Sequence, residues 1–98
     1  MNVNFIVAHI PYGKENAVTR EYLCLMFGMS DREIRRAIQA ARNEGNIIIN
    51  AQDGRGYYRS NEPADVMKQY KQNKRRALSI LVQQKHLRRL LKDAGLEV

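Results

Sequence analysis

Ninety-eight residues and 11.4 kDa, with 17 Lys plus Arg against 10 Asp plus Glu, give a net charge of +7 and a pI near 9.9. That length leaves no room for a two-domain enzyme, and no stretch approaches the roughly 20 consecutive apolar residues of a membrane span. The start, Met1-Asn2-Val3-Asn4, lacks the basic residues and apolar run of a secretory signal. A single cysteine, Cys24, excludes an internal disulfide framework and suits a reducing cytoplasm. The expected place is therefore the cytoplasm, and an excess of positive charge makes nucleic acid the first partner to test.

In chain order, residues 3–10 are mostly apolar and stop at Pro11; so short a run suits a helix or a strand equally. Pro11-Tyr12-Gly13 reads as a turn, continuing as loop through Lys14-Glu15-Asn16. Thr19 is placed to cap a helix over Arg20–Phe27, with Tyr22, Leu23, Met26 and Phe27 expected in the core and Gly28 as its stop. Ser30 and Glu33 have capping-box spacing, so a second helix is expected from about 31 to 44, ended by Gly45. Two helices joined by so short a turn make a helix-turn-helix. Ile47-Ile48-Ile49 then favours a strand, Asp53-Gly54-Arg55-Gly56 a turn, and Tyr57-Tyr58 a return strand with one tyrosine packed and the other exposed.

A composition break at Ser60-Asn61-Glu62-Pro63 separates residues 1–61 from residues 62–98. The first part holds eight basic and six acidic side chains, net +2, and the second nine basic and four acidic, net +5. Pro63 suits the first position of a helix, and neither Gly nor Pro follows until Gly95. A 3-4 spacing runs through Val66, Tyr70, Asn73, Ala77, Ile80, Gln84, Leu87, Leu91 and Ala94, with Met67, Leu78, Leu81 and Leu90 widening the stripe. The expected fold is thus mainly α with a small β-hairpin: a winged helix-turn-helix domain over 1–61, then a long basic helix over 62–98. That helix needs either a second copy, giving a homodimer, or packing on its own domain.

At 100° per residue the second helix has two faces. Ile34, Ala37, Ile38 and Ala41 fall to one side, and Arg32, Arg35, Arg36, Gln39 and Asn43 to the other. Arg reaches guanine O6 and N7 bidentately, and Gln or Asn does so for adenine. The start of such a helix meets base edges in the major groove, so Arg32, Arg35, Arg36 and Gln39 are the base-reading candidates. Arg42 and Asn43 suit phosphates, which fix position without reading sequence. In the wing, residues 52–57, Arg55 is placed to enter the adjacent groove, with Arg59 supporting it from the return strand. Each of these residues has a plainer reading as part of a solvated charged face. The basic stretch from Lys68 to Lys92, unbroken by acids, suits phosphate grip with steep salt dependence.

The stretch Leu23–Tyr58, through Gly28-Met29-Ser30, Ile34, Ile38-Gln39, Arg42, Gly45 and Gly54-Arg55-Gly56-Tyr57, resembles the winged helix-turn-helix proteins around the biotin repressor. The string Ile10–Thr19 leading into it is similar to small prophage-encoded winged-helix proteins of Gram-positive bacteria. The resemblance covers about a third of the chain. It implies double-stranded DNA as partner and a phage or prophage setting, as a transcriptional regulator or replication accessory protein. A biotin repressor continues into a ligase domain, which this 98-residue sequence does not carry.

Nothing in the sequence asks for a cofactor, a metal or a small-molecule substrate. His9 and His86 have no partners at ligand spacing, Cys24 suits a core position, and no carboxylate pair or Ser/His/Asp set suggests catalysis. The alternative to DNA binding is an adaptor, with the winged helix as scaffold and the C-terminal helix as docking element.

Overall fold

The computed structural model describes residues 2–51 and 53–98. In chain order it contains α1 (Asn4–Val7), a 3-10 turn (Lys14–Asn16), α2 (Arg20–Phe27), α3 (Asp31–Asn43), β1 (Ile48–Ala51), β2 (Gly56–Arg59) and α4 (Pro63–Asp93). The chain is mainly helical, with one small two-stranded antiparallel sheet and a long C-terminal helix. It divides into two compact units, Met1–Val66 and Met67–Val98, each described by itself below. No described helix is long and apolar enough to cross a membrane.

Within residues 3–10 the chain forms one short helix, Asn4–Val7, followed by a turn, and no strand. Val3, Ile6 and Ile10 are all buried, a helical spacing that presents one face inward. Lys14–Asn16 is a 3-10 turn rather than open loop. The Thr19 side chain accepts from Tyr22 N at 3.1 Å, starting α2, and Gly28 ends it in the left-handed conformation at φ 61°. After Met29 the chain enters α3 through a reciprocal cap. Ser30 Oγ accepts from Glu33 N at 3.2 Å, and Glu33 Oε1 accepts from Ser30 N at 3.1 Å.

The core of the first unit gathers Val3, Ile6, Ile10, Leu23, Ile34, Ala37, Ile38, Ala41, Ile48 and Tyr57. Each fully buried Ile or Leu contributes about 1.5–3 kcal/mol of transfer free energy. α2 supplies less than its sequence suggests. Leu23 is buried, and Cys24 and Phe27 pack against the cluster, whereas Tyr22 and Met26 are exposed beside Leu25. An eight-residue helix offers the core one narrow face, and Tyr22, Leu25 and Met26 form a separate stripe about 150° away from it.

The hairpin also differs from expectation, because both tyrosines are buried. β1 pairs with β2 with Ile49 opposite Tyr58 and Asn50 opposite Tyr57. Alternation does send the two rings to opposite faces. Each face is covered: Tyr57 joins the main core, and Tyr58 packs with Ile49, Ala51 and Ala17 in a second small cluster. β2 has backbone partners on its other side as well. Val18 N donates to Tyr57 O at 2.9 Å, Tyr57 N donates to Val18 O, and Arg59 N donates to Pro11 O at 2.8 Å. β2 therefore lies between β1 on one side and two isolated bridges on the other, Tyr12 parallel to Arg59 and Val18 antiparallel to Tyr57.

The first turn of α4 lies within the first unit. The Glu62 carbonyl accepts its first helical bond from Val66 N at 3.0 Å. Ser60 Oγ accepts from Glu62 N and donates to Asp65 Oδ2, both at 3.0 Å. Burial raises the Tyr58 phenol above its ordinary range, and the neighbouring Asp65 charge adds to the effect. In the second unit α4 is regular to Asp93, and Gly95 follows with a positive φ of 82°.

Candidate nucleic-acid interface

α3 divides as its sequence predicts. Ile34, Ala37, Ile38 and Ala41 are buried, while Arg32, Arg35, Arg36, Gln39 and Asn43 are exposed. The face is not a uniform row of free cations. Asp31, the first residue of α3, accepts from Arg20 Nε at 2.7 Å through Oδ1 and from Arg35 Nε at 3.0 Å through Oδ2. Desolvation pushes the Asp31 carboxyl up, but the hydrogen bonds from Arg20 and Arg35 outweigh it and hold the group below the usual carboxylate range. The Arg35 bond to Asp31 runs through Nε, which leaves its two Nη groups as further donors. Arg32 and Arg36 enter no ion pair among the described residues, although Glu33 feels the Arg36 charge. Gln39 Nε2 lies 3.4 Å from Asn43 Oδ1, a long contact that a stronger acceptor would displace.

Arg20 was not legible as part of this group. Besides Asp31, its Nη1 donates to Tyr57 Oη at 3.3 Å, so it links the starts of α2 and α3 to the hairpin. The Tyr57 hydroxyl and then Asp31 raise the Arg20 pKa further above its already high ordinary value. The Asp31–Arg35 pairing follows helical i, i+4 spacing and is readable from sequence. The Arg20–Asp31 pairing spans 11 residues across a turn and is set by tertiary packing.

At the hairpin turn, Arg55 is exposed and sits against Asp53, with its backbone N donating to Oδ1 and its Nε to Oδ2, both at 3.2 Å. The Arg55 backbone bond, against desolvation and with help from Lys14, lowers the Asp53 pKa. Lys14 Nζ is 3.5 Å from the same carboxylate, which brings a second cation to the turn from a segment 39 positions earlier. Gln52, the first residue of the expected wing 52–57, lies outside the described residues.

Two expected DNA contacts, Arg42 to phosphate and Arg59 in support of Arg55, have other work. Arg42 Nε and Nη2 donate to the Ile48 carbonyl at 3.1 and 3.0 Å, and its guanidinium lies 5.9 Å from the Tyr57 ring centre. Arg59 Nε donates to the Ile10 carbonyl at 2.7 Å, and its guanidinium stacks 4.4 Å over Tyr12. The Ile48 carbonyl lies at the start of β1 and the Ile10 carbonyl in the loop after α1, and the guanidiniums satisfy them. Sequence spacing does not show which arginines are committed in this way.

Among the described residues, no three of His, Cys, Asp and Glu gather as a metal site needs. No protein family, no curated protein and no solved structure matches this chain.

Proposed function

We propose that the first unit is a winged helix-turn-helix that binds double-stranded DNA, with α3 in the major groove and the hairpin turn on the adjacent groove. The observation that carries this reading is the two-faced α3. Its apolar side is locked in the core by four buried residues, and its polar side presents Arg32, Arg35, Arg36 and Gln39 shortly after α2 has been stopped and turned by Gly28. These four side chains read base edges. Asn43, Arg55 and Lys14 hold phosphates, while Arg42 and Arg59 brace the scaffold. Asp31 supports readout by fixing Arg35 before DNA arrives, which reduces the ordering cost on binding. A role in phage or prophage transcription or replication belongs to the same proposal.

The test is selection of bound sequences from a random duplex pool, followed by titration of the winner. Arg35→Ala and Arg36→Ala are each expected to cost about 1–3 kcal/mol, roughly a 5- to 150-fold loss of affinity, and to relax the motif at one position. Unchanged affinity in both variants, with the fold intact by circular dichroism, overturns the assignment. The adaptor reading draws on the exposed Tyr22, Leu25 and Met26 of α2. No duplex binding at low salt would favour it.

A further inference from the structure

In the second unit α4 carries a stripe of exposed apolar residues, among them Tyr70 at 60%, Ile80 at 58% and Leu87 at 55%. We propose that a second copy of this chain covers that stripe, in an antiparallel two-stranded coil that overlaps α4 from end to end. The argument is the near-palindromic order of the seam. With the helices antiparallel and their midpoints aligned, Tyr70 meets Leu87 of the second copy, Asn73 meets Gln84, and Ala77 meets Ile80, each layer occurring twice by symmetry. The Ala77–Ile80 layer sets small against large and the Asn73–Gln84 layer amide against amide, while the Tyr70–Leu87 layer sets a ring against a branched chain and Val66 meets Leu91. Gln69 Nε2 already donates to Asn73 Oδ1 at 2.9 Å, which leaves the Asn73 Nδ2 group to donate to Gln84 of the second copy.

The flanking positions agree. In this register Lys74 lies beside Leu81 of the second copy and Arg76 beside Gln83, so no like charges meet although cations border the stripe. A one-heptad slip places Asn73 on Leu91, Gln84 on Ile80 and Lys74 on Arg88, burying amides against carbon and pairing like charges. A parallel arrangement stacks Ala77 on Ala77 and Tyr70 on Tyr70, leaving a void near an overfilled layer. The remaining cations, among them Lys71, Arg75, Lys85, Arg89 and Lys92, fall on the outside of the coil. This inference does not depend on DNA binding, and its test uses none.

Sedimentation equilibrium of the whole protein across a concentration series is expected to give the mass of two chains. Ile80→Lys is expected to give one chain, with the thermal transition of the first unit retained. For orientation, the double variant Asn73→Cys with Gln84→Cys is oxidised beside each single variant, with the wild-type chain and its lone Cys24 as the blank. The double variant is expected to cross-link into dimers and the singles are not. A monomer at all concentrations overturns self-association, a trimer or tetramer overturns the two-stranded coil, and cross-linking by the singles overturns the antiparallel register.

Discussion

Gly56 shows how one residue's requirement comes from its neighbours and not from its own motif. A β-carbon there would lie 2.0 Å from the Val18 carbonyl oxygen, and its φ of 101° is a conformation that side chains avoid. Gly56→Ala is therefore expected to cost about 3 kcal/mol or more, measured by urea denaturation. Gly54 has a φ of 87° and open space around its missing β-carbon, so Gly54→Ala is expected to cost clearly less. The sequence marks both glycines as turn formers and ranks neither, because the residue that crowds Gly56, Val18, comes from a segment far earlier in the chain. Arg42 and Arg59 teach the same point. Their charge is visible in the sequence, whereas the carbonyls of Ile48 and Ile10 that hold them appear only once β1 and α1 are in place.

At the scale of the element, α3 was the most legible part of the chain, since local chemistry dictates both its start and its faces. Ser30→Ala removes one half of the cap and is expected to cost about 1 kcal/mol by thermal denaturation. The Ser30 backbone N–H, followed by the Ser30 hydroxyl, keeps the Glu33 carboxyl below its ordinary range, and Asp31 and Asp53 are depressed as well. Carboxyls with folded pKa values below the unfolded ones add stability that is fully present above the unfolded values, near 4, and is lost as pH falls through the folded ones. Stability is accordingly expected to be flat in these groups above about pH 5 and to decline below it. Glu33→Gln keeps a capping side chain but removes one of the three titrations, so its acid transition, followed by circular dichroism, is expected to be shallower. α1 and α2 were less legible. Four helical residues carry too few periods to be told from a strand, and α2 has two apolar stripes of which the core takes one.

For the molecule as a whole, the proposed function divides the charge into a part that would discriminate and a part that would grip. On the DNA reading, the two respond differently to salt. Lys85→Ala and Arg89→Ala are expected to weaken binding equally for all sequences and to lower the slope of log K against log[salt] by about 0.9 for each phosphate that is no longer neutralised. Arg36→Ala is expected instead to change which sequence is preferred. A titration in which the two α4 variants altered preference, or left the slope unchanged, would count against this division.

The central position of β2 also bears on how the chain acquires its fold during synthesis. Pro11, Gly13 and Val18 depend for their backbone bonds on Tyr57 and Arg59. A nascent chain that has emerged only as far as Gly45 has released α1, α2 and α3 complete, yet the segment between α1 and α2 still has no strand to pair with. The two helices that form the proposed reading head can assemble early, but the linker that precedes them is fastened last. The ribosome must deliver nearly the entire first unit before that linker is tied down.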